Sequence, residues 1–165
     1  MPEKQTVDRA REDARRGKSP STQAGEFVRE EMEHVREGKH GARSPQQAIA
    51  IGLSKARRAG VRLPPPKKGK TSEKTRAQAE RDYSKGQSSG RHRTSRTRSH
   101  GVSRTLRREG REAASPAALG RQARSSARRR GHAGRSGSAQ RAVRTKGRAG
   151  LKQAARKAAR TRRSH

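Results

Sequence analysis

The stretch SPQQAIAIGLSKARRAG, Ser44 to Gly60, decides how this chain is read. Nowhere else do three large aliphatic side chains lie so close together. Ser44-Pro45-Gln46-Gln47 has the S-x-x-Q form of a capping box, with proline at the first helical position, where its missing N–H costs nothing. Ala48, Ile49, Ile51, Leu53 and Ala56 form an apolar face. Gly60 stands where a left-handed C-terminal residue belongs, with Val61 placed to pack back on the last turn. Arg57 and Arg58 sit at the negative end of the helix dipole.

Working outward, SPSTQAGEFVREEMEHVREGKHG supplies a second such helix. Ser19 is its N-cap, Pro20 its first residue, and Gly38 and Gly41 its stop. Phe27, Val28, Met32 and Val35 share a side. Across a loop from Gly38 to Arg43 they are expected to meet Ile49 and Leu53, closing a helical hairpin over residues 19–62 with those six residues as its core. So small a core predicts a marginal unit or one that self-associates. Glu26, Glu30, Glu33 and Glu37 repeat along the same helix and read as a solvated face.

The rest of the chain is of a different kind. Of 165 residues, 25% are hydrophobic and 36% charged, and the aromatic side chains are Phe27 and Tyr83 alone. Low apolar content with high charge leaves little to offset chain entropy. The fold class expected is therefore mostly disordered, with a small all-α helical hairpin near the N-terminus and no strands. The expected divisions are a mixed-charge arm with some helix at 1–18, the hairpin at 19–62, a Pro-rich linker at 63–70 around Pro64-Pro65-Pro66, a short exposed helix at 71–86 and a basic, disordered Arg/Ser/Gly/Ala-rich tail at 87–165.

Charge points to the partner. The net formal charge is +31, and the pI is near 12. Residues 1–63 carry 14 basic and 9 acidic side chains, whereas residues 91–165 carry 24 and 2. Such a charge seeks a polyanion, nucleic acid first. Arginine outnumbers lysine 33 to 12, and its planar fork matches phosphate and guanine edges, although a GC-rich genome enriches arginine as well. The cations expected to hold nucleic acid are Arg91, Arg93, Arg96, Arg98, Arg107, Arg108, Arg128, Arg129, Arg130, Lys152, Arg156, Lys157, Arg160, Arg162 and Arg163. Without aromatic residues for base stacking, DNA duplex backbone is favoured over RNA, read without sequence preference.

Other classes find little support. There is no cysteine, so disulfides and thiol chemistry are excluded. The N-terminus lacks an apolar signal core, and no run approaches a membrane span, so a cytoplasmic chain is expected with no membrane partner. No phosphate-cradling glycine motif stands between strand and helix. His34 and His40 lack a clear third ligand at metal-binding spacing, so neither metal nor cofactor is expected, and no catalytic set emerges.

Two resemblances follow from these residues. EFVREEMEHVREGKHG followed by RSPQQAIAIGLSKARRAG, residues 26–60, resembles an uncharacterised family of small basic bacterial proteins whose pattern runs S-x-x-Q-A-I-A-I-(A/G)-L-S-x-A-R. Ser44, Gln47, Ala48, Ile49, Ala50, Ile51, Leu53, Ser54, Ala56 and Arg57 match it. Members are often labelled DNA-binding, some plasmid-stabilising, and the resemblance implies a bacterial, cytoplasmic protein; the basic tail makes a nucleoid-associated, histone-like DNA-binding protein the leading expectation. GRAGLKQAARKAARTRR resembles linker-histone and bacterial histone-like tails in composition. The alternatives are an RNA- or ribosome-associated protein and a plasmid-stabilisation or protein-interaction factor acting through the hairpin.

Overall fold

Four serines open four helices. Ser19 Oγ accepts from the Thr22 N–H at 3.4 Å, Ser44 from Gln47 at 3.2 Å, Ser72 from Thr75 at 3.2 Å and Ser115 from Ala118 at 3.2 Å. Each satisfies a donor that the first helical turn leaves unpaired. In this computed structural model, which describes residues 2–88 and 95–163, the helices are α1 (Lys4–Arg15), α2 (Pro20–Glu37), α3 (Pro45–Arg58), α4 (Glu73–Gln87), α5 (Arg96–Arg108) and α6 (Pro116–Arg163), with a 3-10 turn at Glu112–Ala114. The backbone divides into two units, Met1–Gly120 and Arg121–His165.

The stops are equally local. At the end of α3 the Gly60 N–H bonds Arg57 O at 3.0 Å, and the Val61 N–H bonds Ala56 O at 3.1 Å, a Schellman arrangement around Gly60 at φ 94°. Val61 is buried with Ala56. The end of α2 repeats the pattern, with Gly38 at φ 75° and the Lys39 N–H on His34 O at 3.0 Å. The capping box at Ser44 differs in one bond: Gln47 Oε1 accepts from the Arg43 N–H at 2.8 Å, one residue ahead of the cap.

In the first unit α2 is central, flanked by α1 and α3, and α4 lies on α3. Two apolar clusters hold these helices. One joins Met32, Val35, Ala42, Ala48, Ala113 and Ala114, with Val28, Ile49 and Leu119 against it. The other joins Ala10, Ala24, Phe27, Ala56 and Val61, with Val7, Leu53, Ala59 and Leu63. Of the six expected core residues, Phe27, Met32 and Val35 are thus buried, and Val28, Ile49 and Leu53 are half-buried beside them. Much of the core is alanine, so the helix backbones come close. Polar contacts do the rest. Ser54 Oγ donates to Asp82 Oδ2 at 2.7 Å, and Gln78 Nε2 donates to Oδ1 at 3.1 Å, docking α4. The Gly41 and Ala42 N–H groups bond Leu106 O and Gly110 O at 2.8 and 3.0 Å, and Arg36 Nε donates to Ala114 O at 3.1 Å.

Beneath these contacts lies a charged layer. Glu30 and Glu31 on α2 are 2% and 0% exposed. The Glu30 carboxylate accepts from the Glu3 N–H through both oxygens at 3.3 Å and so caps α1 from outside that helix. Lys55 of α3 bonds Glu31 Oε1 and stands 3.7 Å from Glu30 Oε1. Glu3 in turn accepts from His34 Nε2 at 2.9 Å and Lys39 Nζ at 3.1 Å. Its carboxyl is held below the usual range, first by the His34 hydrogen bond and then by Lys39.

Several expectations are overturned. The chain is not mostly disordered: the described residues are largely helical, with no strand among them, and residues 95–163 carry α5 and α6. The composition rule weighs the capacity to bury a core, but α6 buries only Ala118 among its side chains. Its helicity comes from Ala, Arg, Lys, Gln and Leu, which lose little on becoming helical, and from hydrogen bonds internal to the segment. The hairpin does not stand alone, because α1, α4 and the Glu112–Ala114 turn pack on it. The Pro-rich stretch is not a spacer between separate bodies: Arg57 Nε and Nη2 donate to Leu63 O and Pro64 O at 3.2 and 3.4 Å, within the first unit. Burial pushes that guanidinium down, and Asp82 partly opposes the shift. The 71–86 helix is not merely exposed, since Ala79 and Asp82 are buried. The glutamate row is solvated at Glu33 and Glu37, but Glu30 is buried.

Two substitutions probe this packing. Lys55→Met leaves Glu31 buried without its cation, and urea unfolding is expected to show a loss of about 3–5 kcal/mol. A Cβ on Gly86 would lie 1.8 Å from Arg57 O, so Gly86→Ala forces α4 off α3. A loss of roughly 1–3 kcal/mol is expected by the same measurement.

Candidate nucleic-acid interface

The cations of α1 to α4 and those of α5 and α6 have different surroundings. In the first unit many face carboxylates: Arg9 Nε lies 3.0 Å from Glu26, Lys18 Nζ 2.6 Å from Asp13 and Arg76 Nη2 2.6 Å from Glu80. Among the described residues of α5 and α6, no cation pairs with a carboxylate. Residues 116–163 hold 16 Lys and Arg and no Asp or Glu. The side-chain partners there are neutral. Arg129 Nη1 donates to Ser125 Oγ at 2.7 Å and Nη2 to Ser126 Oγ at 3.3 Å, and Arg141 Nη2 donates to Ser138 Oγ at 3.2 Å.

Arg96, Arg107 and Arg108 lie exposed on α5. Arg128, Arg129, Arg130, Lys152, Arg156, Lys157, Arg160, Arg162 and Arg163 lie exposed on α6. Arg91 and Arg93, with the Arg98 side chain, fall outside the described residues. Helix geometry sets the spacing: Lys152, Arg156 and Arg160 share one stripe, rising about 6 Å from one to the next. Like charges so close oppose the helix that carries them, and a phosphate chain laid along them removes that penalty.

α6 is divided at Gly131 (φ 65°, ψ −175°) and Gly147 (φ 63°, ψ 172°), a region of backbone space that is nearly glycine's own. The divisions mark a repeat that composition and short motifs do not reveal. Gly131-His132-Ala133-Gly134 returns as Gly147-Arg148-Ala149-Gly150, sixteen residues on. At the same period fall Ala123, Ala139 and Ala155, then Arg128, Arg144 and Arg160, then Arg130, Lys146 and Arg162. Each unit is a helical segment with a cationic end. Period counting finds it, and it adds Arg144 and Lys146 to the interface. Ala at both Gly131 and Gly147 meets open space, so the double variant is expected to run the helix through both breaks. A deeper 222 nm circular-dichroism minimum would report this, and an unchanged one would count against the breaks.

Base stacking has little to draw on, since Phe27 is fully buried and Tyr83 half-buried. No helix of the described residues is long and apolar enough to cross a membrane. Metal-ligand geometry is found on the first unit alone among the described residues, where atoms of Glu31, His34 and His40 converge. Residues 5–68 match the family described as "Family of unknown function (DUF6496)". No curated protein and no solved structure matches the chain.

Proposed function

We propose that the protein binds DNA through its phosphate backbone, without reading bases, and acts as a nucleoid-associated protein of a bacterial cytoplasm. The observation that supports this most is α6: 48 residues, sixteen cations, no carboxylate and one buried side chain. A folded surface with unneutralised charge repeated at a fixed period has little to gain from protein packing. It has much to gain from releasing the counterions condensed on a polyanion. The helices replace the disordered tail expected from composition, and they preset the spacing of cations that a coil would have to order on binding. The helical first unit then serves as the scaffold and as the part able to self-associate.

The structure also dictates where to cut. Ala113, Ala114 and Leu119 pack into the first unit, so removing everything after residue 90 would damage the bundle itself. A chain ending at Gly120 keeps that packing and loses sixteen cations. If about ten of the 24 cations after residue 90 engage phosphate, log Kd against log salt has a slope of magnitude near 9, falling to about 3 in the shortened chain, which keeps eight of them. Gel shift and fluorescence anisotropy on duplex DNA across a salt series measure both. Equal affinity of the two chains would refute the reading, and a strong preference for structured RNA in competition would move it to an RNA-associated role.

A further inference from the structure

Ligand atoms of three side chains, Glu31, His34 and His40, converge in the charged layer of the first unit. His40 Nδ1 lies 3.0 Å from Gly41 O, which can only accept, so Nδ1 carries a hydrogen and, in the neutral ring, Nε2 is the lone-pair nitrogen. That Nε2 points at Glu31 Oε2 from 3.5 Å. His34 Nε2 lies 2.9 Å from a Glu3 carboxylate oxygen, so it donates, and His34 Nδ1, the lone-pair nitrogen of the neutral ring, stands 3.7 Å from Glu31 Oε1. Glu31 is fully buried, and its Oε2 has no hydrogen-bond partner. The charge balance agrees: Glu3, Glu30, Glu31 and Glu37 stand against Lys39 and Lys55, which leaves two negative charges over when both imidazoles are neutral.

We propose that Glu31, His34 and His40 bind a Zn²⁺-class transition-metal cation. Their ligand atoms all lie within 4.8 Å of one another. Donors about 2 Å from a tetrahedral ion stand roughly 3.3 Å apart, a closure that small side-chain rotations supply. Two imidazoles and one carboxylate select zinc and its neighbours over magnesium or calcium, and three protein ligands leave a fourth position for water. The outer partners are those such a site needs. Gly41 O and Glu3 orient the two rings, and Lys55 holds the other oxygen of Glu31. The chain builds the site within ten residues. Glu31 and His34, three apart, share a face of α2, and the left-handed turn at Gly38 brings His40 back to them. The third ligand is hard to see in the sequence because Glu31 lies outside the regular glutamate row.

The test uses the full chain, stripped of metal with chelator and of nucleic acid with high salt. Titration calorimetry with ZnCl₂ is expected to give one tight site per chain, weakened at least about tenfold in His34→Gln and in His40→Gln. Co²⁺ in place of zinc is expected to give the intense visible absorption of a near-tetrahedral ion. Absence of binding by the wild type, or undiminished binding by the doubly substituted chain, overturns the proposal. A measurement on the wild type covers variants that fail to fold. Diethyl pyrocarbonate acylation, mapped by peptide mass spectrometry, is expected to fall at His34 and His40 on adding zinc and to hold steady at His100 and His132. Equal acylation with and without zinc at His34 and His40 overturns the proposal as well.

Discussion

Two carboxylates taken out of water, Glu30 and Glu31, set the terms on which the helices of the first unit meet. A buried carboxylate without partners is costly, so the folded chain must bring donors to it. Glu30 receives the backbone N–H at the start of α1, and Glu31 receives Lys55 from α3. The α2–α3 turn is drawn in as well, because Glu3 holds Lys39 and the rings of His34 and His40 close over Glu31. The apolar clusters supply burial but little direction, being largely alanine. The charged layer fixes which residue of one helix faces which residue of the next.

Charge then has two fates in one chain. In α1 to α4 many cations meet carboxylates or carbonyl oxygens, and Arg57 goes as far as burying its guanidinium against the backbone of Leu63 and Pro64. In α6 cations meet only neutral groups and each other among the described residues. The first arrangement stabilises a fold. The second stores repulsion that an external anion relieves. This division, more than the net charge, underlies a DNA-binding reading in which the two units have separate work.

Helix ends were the most legible feature of the sequence. Ser19-Pro20 and Ser44-Pro45 begin helices, and Gly38 and Gly60 turn them off, because caps are satisfied by atoms a few residues away. Order in the basic half was not legible from composition. A test built on burial cannot see helices held by propensity and internal hydrogen bonds. The sixteen-residue period was present throughout, hidden by an alphabet of Arg, Ala, Ser and Gly in which any short match looks accidental.

From sequence alone came α2 and α3, their caps and apolar side, and the concentration of cations after residue 90, all properties of neighbours along the chain. Only the tertiary structure decided that Glu30 and Glu31 turn inward, that α1 and α4 complete the bundle around the hairpin, and that Glu31 joins His34 and His40. The physical reason is that the periodicity of a helix says which residues share a side, whereas the cost of burying a charge is met by partners tens of residues away, such as Glu3 and Lys55.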